Sequence, residues 1–358
     1  MRWWTARTYE APRRLRAASR AALRFGSTAG ASFVRPAPRP VSDILLASLL
    51  SPVVLAFVLG AVAVAVRSDL EIPEPLYQSL SIYLLLAIGL KGGMALSATP
   101  LAEVAGPAAA TLALGIVTPL VAYTVLRRLG GFDRTNAAAL AAHYGSVSAV
   151  TFIAATSVVA FAGAPAEDFM PALVAVLEVP AIIIGLLIAY AGGGRAGSWQ
   201  KALREVVTGR SIVLLVGGML IGFIAGHDGM APVIPFFVTG FQGALVLFLL
   251  DMGMTAARRL RDVRAVGPFL VGFGIAMPIV HGALGVWVGT AVGLSVGGAA
   301  VLGAMVSSAS YIAAPAAVRV GLPEANPALY LTASLGVTFP FNLTLGIPLY
   351  LALARALA

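Results

Sequence analysis

"HYGSVSAVTF", His143 to Phe152, sets two serines, a threonine, a histidine and a glycine inside a stretch otherwise apolar enough to lie in lipid. Buried polar groups cost free energy unless they are paired, and a glycine weakens a helix. Their presence at that depth asks for a purpose. On either side, apolar runs of span length recur along nearly the whole chain. They lie near 44–66, 76–97, 106–127, 137–161, 171–192, 211–227, 232–256, 266–292, 297–319 and 327–354. A helix needs ~20 such residues to cross the hydrocarbon, so the pattern predicts ten transmembrane helices. Composition agrees: 59% of the 358 residues are hydrophobic and only 11% charged, against about a quarter charged in a soluble domain. The alternating segments of a β-barrel are not seen. The fold class is an all-α membrane protein.

The formal charge of +9 is concentrated at one end. Residues 1–40 hold nine arginines against Glu10 alone, and the rest of the chain holds 15 basic and 14 acidic residues. The basic balance therefore belongs to an arm over 1–41 and does not mark the folded body as a nucleic-acid binder. The arm has no apolar run of its own, and its expected nature is a disordered segment or a stretch upstream of the true start. The chain has no cysteine, which excludes disulfides and thiolate metal sites. Thirteen basic residues fall in alternate loops, from Arg67 to Arg319, and the intervening loops hold Glu103, Glu167, Asp168 and Asp228 instead. By the positive-inside rule the thirteen face the cytoplasm.

The longest polar interruption, "GGRAGSWQKALREVVTGR" at 193–210, reads as a cytoplasmic linker between a first repeat (42–192) and a second (211–358). Four echoes recur in order across it. "LKGGMAL" (90–96) returns as "LDMGMTA" (250–256), and "GIVTPLV" (115–121) as "GIAMPIV" (274–280). "GSVS" (145–148) returns as "SSAS" (307–310), and "PAL" (171–173) at 327–329. Five spans per half is an odd number, so the second half enters the membrane from the opposite side. The expected architecture is a 5+5 inverted repeat, with substrate at the midplane on helices broken in corresponding places.

Those places are the fourth and ninth spans. Ser146, Ser148 and Thr151 cluster in one, beside Gly145; Ser307, Ser308 and Ser310 cluster in the other, followed by Pro315. A broken helix exposes amide N–H groups and a positive dipole end at one stub and carbonyls at the other. The first suits an anion; carbonyls and hydroxyls suit Na⁺. The alternative is that these serines only hold helices together. Glu178, mid-span before Pro180, is a candidate ligand for a sodium ion or a proton, since an intramembrane carboxylate is functional by default. Lys91 and Asp251 hold matching places in the two repeats and are candidates for a gate, an ion pair or snorkelling residues. His143 and His281 lack the carboxylate spacing of a metal site and are read as packing or hydrogen-bonding residues. Asn342 is read as a helix–helix hydrogen bond or a lining residue.

"AIGLKGGMAL", "GSVSAVTFIAA", "LEVPAI", "MGMTA" and "SSASYIAAPAAVRVGLPEANPALYLTASLGV" together resemble the sodium-dependent bicarbonate transporters first known from cyanobacteria, over about residues 42–354. The resemblance implies Na⁺-coupled bicarbonate uptake across the inner membrane, a homotrimer, and a core domain sliding elevator-fashion against a scaffold. It places the anion at Ser146, Ser148, Ser308, Ser310 and Tyr311, and sodium at Thr151, Glu178 and Ser307. Tyr311 stands where the cyanobacterial members carry an aspartate, and a phenol cannot offer a carboxylate to Na⁺ at neutral pH. A PII-like cytoplasmic regulator is the further partner implied. Two other transport readings stay open, a different small organic anion and proton coupling through Glu178. An intramembrane enzyme using serine with His143 or Lys91, and a receptor or scaffold, are the readings of another class.

Overall fold

The computed structural model describes residues 49–191, 201, 204–205, 207–260 and 262–358. The arm at 1–41, the first residues of the span at 44–66 and most of the linker at 193–210 lie outside the described residues. Among the described residues the regular structure is helical throughout. The first half contains α1 (Pro52–Ala65), α2 (Glu74–Ala98), α3 (Leu101–Arg128), α4 (Arg134–Gly145), α5 (Ala149–Phe161), α6 (Met170–Glu178) and α7 (Pro180–Tyr190). The second contains α8 (Arg210–Met230), α9 (Phe241–Leu260), the short α10 (Val263–Val266), α11 (Pro268–Ala291), α12 (Val296–Ser307) and α13 (Ala313–Gly321). It closes with α14 (Pro327–Leu357), which widens to π geometry over Thr332–Thr338 and Asn342–Gly346.

Eight helical stretches among the described residues are long and apolar enough to cross a membrane. The two remaining apolar helices, Pro52–Ala65 and Val296–Ser307, are shorter. The second of them is short because its span is interrupted, as shown below. The chain is a multi-pass membrane protein. Its exposed apolar side chains fit that setting: Leu220, Ile221, Phe223 and Ile224 on α8 all face outward.

Several helix starts are set by side-chain caps. Ser51 precedes α1, with Pro52 at the first helical position, and its hydroxyl accepts the Val54 N–H. Asp133 caps α4 through the Asn136 N–H, and Ser295 caps α12 through the Gly298 N–H. The last two helix starts also tie down a loop from the other half. The Asn326 N–H donates to Asn136 Oδ1 at 2.8 Å, and the Ser295 N–H donates to Glu167 Oε1 at 2.5 Å.

Two helix pairs carry the closest packing, α1 with α9 and α2 with α8. Both are backbone-to-backbone contacts at glycine. A β-carbon on Gly60 would strike the Leu250 carbonyl, and one on Gly253 would strike the Phe57 carbonyl. In the other pair, β-carbons on Gly93 and Gly222 would strike the Met219 and Leu90 carbonyls. Small residues drive such approaches in lipid, where burial of apolar area is not itself a driving force between helices. The remaining helices, α3–α7 and α11–α14, pack around the two interrupted spans.

Proline leaves its mark inside α11. Pro278 in α11 has no N–H to give the Gly274 carbonyl one turn earlier. Thr338 of α14 replaces it, donating to that carbonyl at 2.7 Å, and the Tyr144 hydroxyl in turn donates to Thr338 Oγ1 at 2.7 Å.

Candidate functional site

The fourth span is not one helix. α4 stops at Gly145, Ser146 to Ser148 are extended, and α5 starts at Ala149. The corresponding span of the second half is cut the same way: α12 stops at Ser307, Ser308 is extended, and α13 starts at Ala313. Gly145 serves packing at this point as well as flexibility, because a β-carbon there would lie 2.6 Å from Pro119 Cδ and 2.7 Å from Ala181 Cβ. Pro315 does not make the second break. It occupies the first turn of α13, where a missing N–H has no helical partner to lose.

The breaks meet. The Ser148 N–H donates to Ser308 Oγ at 2.8 Å, and the Ser310 N–H donates to the His143 carbonyl at 2.9 Å. Ser146, Ser148, Thr151, Ser307, Ser308, Ser310 and Tyr311 are all buried there. Each break is also held to the last span of its own half. Ser146 Oγ donates to the Glu178 carbonyl at 2.9 Å, while Ser307 Oγ and Asn342 Oδ1 are 3.2 Å apart.

Around the crossing lie buried polar atoms with no hydrogen-bond partner. They include Glu178 Oε2, His143 Nε2, both ring nitrogens of His281, and the Tyr311 hydroxyl, which stands beside the Ser148 side chain. Native structures leave few such atoms unpaired, and those left point to an ion, a ligand or water. Among the described residues, no group of three or more histidine, cysteine, aspartate or glutamate side chains could hold a metal. His143 is a packing residue in part: its Nδ1 bonds the Ala139 carbonyl at 2.7 Å, and its ring stacks on Tyr330 at 4.3 Å between centroids. What the two breaks offer an ion is hydroxyls and peptide groups, with the backbone carbonyl of Glu178 bonded to Ser146.

A family model described as the Na⁺-dependent bicarbonate transporter superfamily matches residues 52–355. The chain belongs to that superfamily. Members are transporters, so the protein is a transporter and not an enzyme. No functionally curated protein matches the chain.

The transporter's other intramembrane charges lie apart from the crossing. Lys91 and Asp251 do not pair with each other. The Lys91 ammonium sits 5.3 Å above the Phe241 ring and feels Asp168, whereas Asp251 feels Arg258 and Glu74. Lys91 instead lines a cavity of about 530 Å³, with Ser157, Asp168, His227, Phe241 and Gln242 among its walls. Gln242 of α9 reaches across it to Ser157 of α5, Nε2 donating to Oγ at 3.2 Å.

Two features of the site go beyond the sequence reading, which has Asn342 as a helix–helix hydrogen bond or a lining residue without a partner. Asn342 and Tyr350 form a network behind Ser307: the Tyr350 hydroxyl lies 3.0 Å from Asn342 Oδ1 and 2.9 Å from the Pro278 carbonyl, and Asn342 Nδ2 donates to the Ser307 carbonyl at 3.2 Å. The other is the Ser157–Gln242 bridge. The signal for Asn342 was its position in an apolar span, which marks a hydrogen bond without naming its partner; nothing marked Gln242.

Proposed function

We propose that the protein is a sodium-coupled symporter that carries bicarbonate into the cell, binding both ions where the two helix breaks cross. One observation carries this reading. The paired bonds from Ser148 to Ser308 and from Ser310 to His143 bring two helix N-termini, two carbonyl ends and seven hydroxyl residues to one buried point. Helix N-termini favour negative charge and carbonyl ends favour positive charge. A site of this kind can hold a monovalent anion and a monovalent cation side by side, each lowering the other's desolvation cost. Neither ion needs a fixed counter-charge from the protein beyond Glu178.

Ten spans in a 5+5 inverted repeat suit the contacts described. Gly60 of the first half against Leu250 of the second is answered by Gly222 of the second against Leu90 of the first, and the Asp133 cap is answered by the Ser295 cap. The exchange of α1 and α8 onto the partner half's second span makes a natural scaffold of α1, α2, α8 and α9. The broken helices and their neighbours are then the moving core of an elevator in the inner membrane, with the basic loops cytoplasmic. The cavity at Lys91 lies between these two bodies and is far larger than a bicarbonate ion, so we read it as an antechamber. The outward apolar faces of the scaffold suit lipid and the neighbours of a trimer. A PII-like regulator would have the cytoplasmic linker to bind.

Radiolabelled bicarbonate uptake into proteoliposomes tests the reading. Uptake should follow an imposed inward Na⁺ gradient and vanish when choline replaces sodium. Sodium-independent uptake, or none at all, would remove it. A proton-coupled variant has its own supporting observation: Glu178 Oε2 is buried with no partner. Uptake driven by a pH gradient without sodium, and lost in Glu178→Gln, would select that variant.

A further inference from the structure

We infer that the cavity at Lys91 is a second ligand site, separate from the helix crossing, for a monocarboxylate with a compact apolar body. The Lys91 ammonium takes the carboxylate, with the Gln242 amide beside it, and the apolar walls take the body. A ligand seated there touches α2 and α9 on one side and α5 and α6 on the other. That it arrests transport rests on the elevator reading; that it binds does not.

Lys91 sets the charge. It lies roughly two turns before the end of α2, and a cation within a span is costly unless something answers it. Its surroundings answer only in part. The ammonium rests over the Phe241 ring, 5.3 Å from the centroid, a contact that leaves N–H donors unused. Asp168 acts on it through space, but among the described residues Lys91 forms no ion pair. Gln242, next to Phe241 on α9, donates one amide hydrogen to Ser157 Oγ at 3.2 Å and keeps its second. The Ser157 hydroxyl gives its own hydrogen to the Ile153 carbonyl at 3.0 Å. Two donors, Lys91 and Gln242, are thus left for an oxyanion.

The walls set the body. Ile88, Met94, Phe152, Ile153, Met170 and Phe241 all line the cavity, and a bicarbonate ion has no apolar surface to set against them. The volume, about 530 Å³, falls in the range of about 300–1,000 Å³ that takes drug-sized ligands. Met94 and Met170 are flexible and polarizable, so they adapt to differing apolar shapes. The site therefore recognises a class of carboxylates and not a single compound.

The rim limits the ligand to one charge. Glu167 and Asp168 line the same cavity, and Glu167 is already committed, its Oε1 accepting the Ser295 N–H. A dicarboxylate or a phosphate dianion would bring its second charge toward these carboxylates, and a cation would meet Lys91. Pro165, Asp168 and His227 lie at the membrane face opposite the basic loops. With those loops cytoplasmic, the ligand arrives from outside the cell.

The test is calorimetric titration of the full-length protein in nanodiscs with biphenyl-4-carboxylate, in choline buffer free of sodium and bicarbonate, with empty nanodiscs as the blank. The wild type should bind it saturably. Biphenyl-4-carboxamide and biphenyl-4-ylmethylammonium should bind at least about tenfold more weakly, one hydrogen bond to a charged group being worth roughly a decade. Lys91→Met should weaken the carboxylate about tenfold and Lys91→Arg, which keeps the charge, less than about threefold. Ala95→Trp, which fills the cavity, should abolish binding. No saturable binding, equal affinity for the three probes, or an unchanged constant in Lys91→Met overturns the site; where Lys91→Met does not assemble, the comparison of probes on the wild type decides. In proteoliposomes the carboxylate, added outside, should lower bicarbonate uptake as much at saturating as at low bicarbonate. Relief by bicarbonate would place the ligand at the crossing and overturn the separate site. Wild-type protein that binds the probe but shows no sodium-driven bicarbonate uptake removes the symport reading and leaves the site standing.

Discussion

Thr338 shows what a single hydroxyl does in this interior. It fills the gap that Pro278 leaves at the Gly274 carbonyl and accepts the Tyr144 hydroxyl, so one side chain satisfies two buried groups on two other helices. Thr338→Val is nearly isosteric and strands both. We expect a lower Tm in detergent, by an amount equivalent to about 0.6–2 kcal/mol, with Thr338→Ser close to wild type. An unchanged midpoint in the valine variant would mean that water or another donor already serves Gly274. Single residues also show where sequence reading misplaced a cause. Pro315 follows the second serine cluster and reads as a helix breaker, but it begins α13. A proline's effect depends on whether it sits inside a helix or in its first turn, and that register is not local to the proline.

At the scale of elements, the α2–α8 pair is held by backbone contact at glycine. Gly93→Val would push a branched side chain into the Met219 carbonyl, whereas Gly217→Val on the neighbouring face meets open space. The first should lower Tm and the yield of folded protein, and the second should leave both close to wild type. Equal effects would contradict the packing. The cap of α4 gives a pH-dependent prediction. Burial raises the Asp133 pKa, but hydrogen bonds from the Asn136 backbone and side chain, and from the Thr135 backbone, outweigh it and hold the carboxyl below the usual carboxylate range. A depressed pKa stabilises the fold above the unfolded value and loses that contribution as pH falls through the folded one. Asp133→Ala should therefore cost about 0.5–2 kcal/mol near neutral pH. Its deficit against wild type should begin to shrink as pH falls below about 4, the unfolded value, and should close only once pH has passed through the lower, folded value. A constant gap across that range would show that the carboxylate's charge does not matter to the cap.

At the scale of the molecule, the elevator reading requires α5 to move against α9. Ser157 and Gln242 join them across the cavity, and the chain has no cysteine of its own. Ser157→Cys with Gln242→Cys can thus be bridged by a short bis-thiol reagent without background. Bridging should abolish uptake and cleavage of the bridge should restore it; full uptake with the bridge intact would remove the sliding motion.

The sequence alone determined that the chain is helical and membrane-embedded, where most helices begin and end, and where the polar clusters lie. Each of these rests on a local property, the hydropathy of some twenty consecutive residues or the presence of a hydroxyl among them. Only the tertiary structure decided which groups those hydroxyls meet. Ser148 and Ser308 are 160 positions apart, Ser307 finds Asn342 through a π turn, and Lys91 and Asp251 go to different neighbours. Hydrogen bonds form between atoms that folding brings within about 3 Å, and neither the direction of a hydroxyl hydrogen nor the crossing of two broken helices is written in the stretch of chain that supplies them.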